Sequence, residues 1–213
     1  MLALGATAAV MPLLEFLPFA HAATRGDLHF RALRRRSAIG EHSVVFRMDG
    51  DHLKVDTHID IVVRVLFITL FRLKHDAQEI WQSGRLVSVT STTERDGTRL
   101  QVSGNAVEDG FRIVGEGGPF LAAADLLTSN SLWNSQIVRE VSLIDVQYGG
   151  EVGMIARRLS DEQVNTPQGA VRARRYQMIT PHYAGSVYYD GDQRWVKALI
   201  ELKGETIEYA LAT

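Results

Sequence analysis

The chain contains no cysteine, which removes disulfides, thiol nucleophiles and thiolate metal sites together. Beyond its amino terminus it also lacks a run of about 20 apolar residues, the length a membrane-spanning helix needs. The most apolar later stretch, 59–73, is interrupted by Asp60, Arg64 and Arg72. Neither sign of charge dominates: the formal net charge is −2, and the total makes no electrostatic case for nucleic acid or an anionic surface. Gly-x-Ser-x-Gly and Ser-x-x-Lys signatures are missing, as is any phosphate-cradling loop. Gly115-Glu116-Gly117-Gly118-Pro119 is rich in glycine, but proline follows at once and no Lys-Ser/Thr pair comes after, so it reads as a turn. These absences assign no catalytic residue and call for no cofactor.

What is present is ordinary globular material, 46% hydrophobic and 23% charged, long enough to bury roughly 70% of its unfolded surface without staples. Residues 1–22 differ from the rest. Apolar blocks at 2–11 and 13–19 contain no Lys or Arg, Pro12 and Pro18 interrupt any helix, and Ala20-His21-Ala22 supplies small residues at both peptidase positions. The expectation is a secretory signal cleaved between Ala22 and Ala23, which places a single β-rich domain, 23–213, in the periplasm. A leader normally opens with a positive charge, so a translation start upstream of Met1 is expected.

Asp49-Gly50, Ser83-Gly84, Asp96-Gly97, Asp109-Gly110, Gly149-Gly150, Asp190-Gly191 and Lys203-Gly204 punctuate the mature chain with tight-turn signals. Between them hydrophobicity alternates. Leu53, Val55, Thr57, Ile59, Ile61 and Val63 point one way, and His52, Lys54, Asp56, His58 and Asp60 the other. That period of two predicts strands. Residues 51–82 contain neither Gly nor Pro; as one strand they would extend about 105 Å, against about 40 Å for a compact domain. A sharp reversal near Leu66–Ile68 is therefore predicted. The doubly apolar run from Val62 to Ile68 is expected to be covered on both sides. Only 119–134 reads as helical, with Pro119 in a first turn and 122–127 most helix-prone.

Several motifs in this order are familiar. Ile39-Gly40-x-His42-x-Val44-x-Phe46, Glu79-Ile80-Trp81-x-x-Gly84-Arg85-Leu86-Val87, Trp133-Asn134, and Tyr188-Tyr189-Asp190 followed by Arg194-Trp195-Val196 resemble a proteobacterial family of exported proteins, domain of unknown function 6134. The likeness runs from about Leu28 to Tyr209. It implies an exported β-fold and supplies no catalytic residues, because the family carries no established activity.

Candidate chemistry is sparse. Asp56, His58 and Asp60, with His52 further along, share one strand face about 6.6 Å apart and form either a metal site or a solvated face. His75-Asp76 with Glu79 is an acid–base cluster or a mixed-charge strand end. Ser129, Ser131 and Ser135 lie near Trp133-Asn134, and His182 is a candidate base for them. Trp81, Trp133, Asn134, Tyr189 and Trp195 either pack across hairpins or form an aromatic ligand platform. Arg34-Arg35-Arg36, Arg157-Arg158 and Arg172-x-Arg174-Arg175 read as salt-laced surface.

The predicted architecture is an all-β, long curved antiparallel meander of nine to eleven strands forming an open or partial barrel. Residues 119–134 serve it as plug or lid. The function expected of it is a non-catalytic periplasmic protein holding an apolar small molecule or lipid in a pocket of several hundred cubic ångströms. The alternatives are an exported hydrolase or metal-assisted enzyme, and an envelope scaffold recognised through a strand edge.

Overall fold

A computed structural model describes residues 26–65, 67–202 and 204–212; the leader and its cleavage site lie outside the described residues. Eight strands follow one another from the amino-terminal side: β1 (Leu28–Arg34), β2 (Ser37–Asp49), β3 (His52–Val65), β4 (Ile68–Gln82), β5 (Arg85–Arg95), β6 (Thr98–Val107), β7 (Gly110–Gly115) and β8 (Gly118–Ala122). Residues 123–150, called the strap below, contain two short 3-10 turns at Ser131–Trp133 and Ser135–Arg139 and strand β9 (Ser142–Ile144). β10 (Glu151–Gly153), β11 (Ile155–Arg158), β12 (Glu162–Thr166), β13 (Gly169–Ile179), β14 (Ala184–Tyr189), β15 (Trp195–Leu202) and β16 (Glu205–Leu211) complete the chain.

Fourteen of these strands form one sheet in the order β11-β13-β14-β15-β16-β1-β2-β3-β4-β5-β6-β7-β8, with β12 also on β13. Every pairing in it is antiparallel, as tight Gly-containing turns require. β8 and β11 are not paired with each other, so the barrel stays open. β16 pairs with β1, Leu211 opposite Phe30, which brings the first and last strands together in mid-sheet. The strand count exceeds the nine to eleven expected, for two reasons. The edge opposite β13 is broken into β11 and β12, and 110–122 adds a hairpin that reaches into the region read as helical.

The expected helix over 119–134 is corrected. Pro119 sits opposite Val114 in the outermost strand, a place where a missing N–H costs no ladder bond. The residues after Ala122 run as coil and 3-10 turns because their side chains are claimed by the sheet: Leu127, Leu132, Trp133, Ile137, Ile144 and Val146 are all buried against it. Plugging the curved sheet is nevertheless what this region does.

The predicted reversal lies between β3 and β4, but the expected double coverage does not occur. Pairing of β2 with β3 stops at Gly40 opposite Ile61, and pairing of β4 with β5 starts only at Leu73 opposite Arg95. Beyond those positions the ladder is a two-stranded finger. Arg72 at its base still exchanges hydrogen bonds with Asp96 of the β5–β6 turn. Val63 and Phe71 still face inward and are buried, and the finger's tip past them is exposed. Phe67 is 101% exposed, Ile68 67% and Leu70 45%.

At the last β2–β3 pairing, where the finger begins, lies a tight backbone approach. Ile39 is the extra residue of a bulge, since Ala32 faces Gly40 while Leu33 faces Ala38. Gly40 has φ +154°, and a Cβ there would lie 1.9 Å from the Asp60 carbonyl oxygen. Only glycine lets β2 cross β3 at this point.

Candidate functional site

The alternation that buries Phe71, Ala77 and Trp81 on β4 also turns His75 and Glu79 inward. Both are fully buried beneath the strap. Thr128 Oγ1 donates to Glu79 Oε1 at 2.6 Å, and Trp81 Nε1 donates to Oε2 at 2.9 Å. Ser131 Oγ lies 2.9 Å from Thr128 Oγ1. Asn130 Nδ2 donates to His75 Nε2 at 2.9 Å, so His75 holds its proton on Nδ1 and donates to Thr93 Oγ1 at 2.8 Å. The strap is thereby tied to the sheet by a buried polar chain that replaces the water these groups lose. Burial pushes the Glu79 carboxyl up to about 7 and the His75 ring down to about 4. No basic side chain is ion-paired with Glu79 among the described residues.

These contacts divide the acid–base cluster read from the sequence. His75 and Glu79 are four residues apart on one strand, about 13 Å between Cα atoms, and each is occupied by strap residues. Asp76 points to the opposite face, where its Oδ1 meets His58 Nδ1 at 2.6 Å.

Beside this chain of bonds lies a cavity of about 110 Å³. Its apolar wall comes from Ile59 and Ile61 of β3, Phe71 and Leu73 of β4, and Leu202 and Ile207 of the β15–β16 hairpin. Strap residues and the β13–β14 turn complete it with Asn130, His182 and Tyr183. His42 also lines it. It is buried among Trp195 and Tyr209, whose rings stand edge-on to it at 5.2 Å, and neither of its ring nitrogens has a partner among the protein atoms. Burial drives the His42 ring down to about 3, so it is neutral. The Tyr183 hydroxyl is likewise buried without a partner, and burial raises it to about 12.

His182 sits on the same lining with Nε2 3.3 Å from Asp145 Oδ2, stacked on Tyr148. Ser129 accepts from the Val146 N–H at 3.2 Å, Ser131 pairs with Thr128, and Ser135 donates to Gln193. None of these serines is hydrogen-bonded to His182, so no nucleophile–base pair forms among the described residues.

The five expected ligand residues are all buried side chains, and none lines the cavity. Trp81 and Trp133 stand edge to face at 5.9 Å, with Phe46 against Trp133 at 5.4 Å. Asn134 accepts from the Gln136 N–H, capping the second 3-10 turn. Tyr189 faces Trp195 across its hairpin, and its hydroxyl donates to the Leu132 carbonyl at 2.8 Å. Trp195 packs on Phe30 at 4.1 Å and backs the cavity through His42. Replacing Tyr189 by Phe should cost about 1 kcal/mol in chemical denaturation, the worth of one buried hydrogen bond to the strap; an unchanged midpoint would show that bond to be idle.

The proposed metal face is occupied by its neighbours. Asp56 pairs with Arg47 and accepts from Gln78 Nε2, and His58 meets Asp76. Asp60 joins neither pair, and no three His, Asp or Glu side chains converge to hold a metal ion among the described residues. Asp56, His58 and Asp76 instead border a broad, open groove of about 760 Å³ on the polar face. The basic clusters are largely ion-paired: Arg34 and Arg35 with Glu205, Arg158 and Arg172 with Asp161, Arg175 with Glu162.

No curated protein matches the chain. Among solved structures it is similar to a β-barrel-like protein of domain of unknown function DUF1849 from Brucella abortus, with a TM-score of 0.63 over 88% of this chain and 95% of that one. At 6% identity the two share a fold. The domain of unknown function family DUF6134 matches residues 30–212, which is nearly all of the described sheet. The chain belongs to that family.

Proposed function

We propose that this protein is a non-catalytic component of the cell envelope that holds a small apolar or lipidic group in the cavity beneath the strap. The envelope location rests on the leader read at 1–22. The observation that carries the binding reading is the pairing of an apolar wall with a neutral, unpartnered His42 imidazole. Such a ring offers one donor and one acceptor, and leaving both unmade in a buried site is costly. An apolar ligand ending in a hydroxyl or carboxylic acid satisfies them. The volume, about 110 Å³, is well below the several hundred expected from the sequence. It is of the order that admits a benzene-sized group, so the cavity holds a small molecule or the end of a chain.

Native mass spectrometry of the protein purified from its host, followed by solvent extraction, reads the occupant directly. In parallel, decanol titrated into the emptied protein should shift the His42 ring nitrogens by NMR. His42→Leu should weaken decanol binding about tenfold, the equivalent of one lost hydrogen bond to a buried partner. A bare protein mass together with unmoved His42 resonances would leave water as the occupant and end the proposal.

A further inference from the structure

The tip of the β3–β4 finger, past the buried Val63 and Phe71, is the part of the molecule that burial does not explain. Residues 62–65 and 68–71 run past the last ladder partners of β2 and β5. Past Val63 and Phe71 the ribbon projects by two to three residues per strand, about 7–10 Å. An isolated two-stranded ribbon is marginal in water, and this one ends in Phe67, Ile68 and Leu70, all exposed. A soluble surface ordinarily tips such a turn with polar residues, and exposed apolar clusters mark contact sites.

The finger's own charges are all basic, and one carboxylate adjoins its base: Asp96 of the β5–β6 turn accepts from the Arg72 N–H at 2.8 Å. From 62 to 73 the chain contains Arg64 and Arg72 and no acid, and both arginines are exposed. Arg36, also exposed, sits in the β1–β2 turn at the same end of the sheet. The near-zero total charge of the chain hides this local excess. We propose that the finger docks on an anionic phospholipid surface: Phe67, Ile68 and Leu70 enter the acyl boundary while Arg64 and Arg72 stay among the headgroup phosphates. Apolar tips entering about 5–10 Å and basic stems at the phosphates are the two contributions that hold peripheral proteins at such interfaces, and the exposed tip with its flanking arginines carries both kinds of side chain. None of the three tip residues lines the cavity, so this contact stands apart from the ligand reading.

The test uses the full chain and vesicles of phosphatidylcholine with or without phosphatidylglycerol. At low salt the protein should sediment with phosphatidylglycerol vesicles and be released as salt rises. Phe67→Ser with Ile68→Ser should weaken that binding at least about tenfold, and Arg64→Gln with Arg72→Gln should weaken it severalfold, both with unchanged thermal unfolding because these side chains are exposed. Residues 1–25 are common to all variants, so the differences read the finger. Phe67→Trp gives a site-specific fluorescence signal, expected to shift blue and be quenched by brominated lipid. Failure of the wild type to sediment, a serine variant that binds like the wild type, or unquenched indole emission from sedimented Phe67→Trp protein would each overturn the proposal. So would self-association in sedimentation velocity that vanishes in the serine variant, which would assign the finger to a second copy of the chain.

Discussion

Gly40→Ala is expected to cost about 3 kcal/mol or more, enough to leave a chain of ordinary stability partly unfolded. The new methyl would stand 1.9 Å from the Asp60 carbonyl oxygen, far inside van der Waals contact, and the obstacle is backbone rather than a side chain that can rotate away. Relief requires β2 to shift against β3, which disturbs the bulge at Ile39 and the inward placement of His42 two residues on. The positive φ of Gly40 adds its own strain for any residue with a Cβ. Urea unfolding measures the loss. A midpoint within about 0.5 kcal/mol of the parent would mean that the strands slide freely at this crossing.

Glu79→Gln should produce the second large effect, and it should depend on pH. In the unfolded chain the carboxyl titrates near its ordinary 4.5, and in the folded chain near 7 because burial disfavours the anion. Between those values the folded state keeps a proton the unfolded state has lost. The stabilisation is therefore whole below 4.5 and drains away as pH rises through 7, about 3 kcal/mol in all at about 1.4 kcal/mol per unit. Gln cannot ionise. Its carbonyl accepts from Trp81 Nε1 and its amide donates to Thr128 Oγ1, whose proton then turns to Ser131. The stability difference between variant and parent should thus be small near pH 4.5 and grow in favour of Gln to about 3 kcal/mol by pH 8. His42 and His75 act in the opposite sense. Their folded values are lowered to about 3 and about 4, so their contribution is intact above 6.5 and lost as pH falls; they are common to both proteins and cancel in the difference. Parallel stability curves from pH 4.5 to 8 would show that Glu79 is not held neutral.

Much of the sheet is legible because one face of each strand is sealed. Leu53, Val55, Ile59, Ile61 and Val63 all fall on the buried face that their alternation assigns, and Gly50, Gly84 and Gly97 stand at turns with positive φ. The buried polar chain is legible in principle through the same register: Phe71 and Trp81 set the inward parity of β4, and His75 and Glu79 share it. Reading those two with Asp76 as an acid–base cluster or a mixed-charge strand end weights residue type over position. His42 follows from Val44 in the same way. What alternation cannot carry is long-range coverage. Nothing local to 62–68 says that both neighbouring strands stop short, so the whole apolar run reads as interior when Val63 near its start is buried but its end, Phe67 and Ile68, is exposed. The strap is misread for a related reason: its helix propensity over 122–127 is a weak preference, and docking Leu127, Leu132 and Trp133 onto a curved sheet overrides it.

The union of β1 with β16 governs how the molecule is assembled. The segment from β1 to β8 and the segment from β13 to β16 are each made of sequence-adjacent hairpins that close over short loops, whereas joining them requires contact between opposite ends of the polypeptide. That step is entropically slow. Until it happens the outer edge of β1 carries bare amides and carbonyls, an invitation to strand-to-strand aggregation. Truncating Glu205–Leu211 would therefore do more than shorten the sheet: it would leave the nascent protein in its most adhesive form.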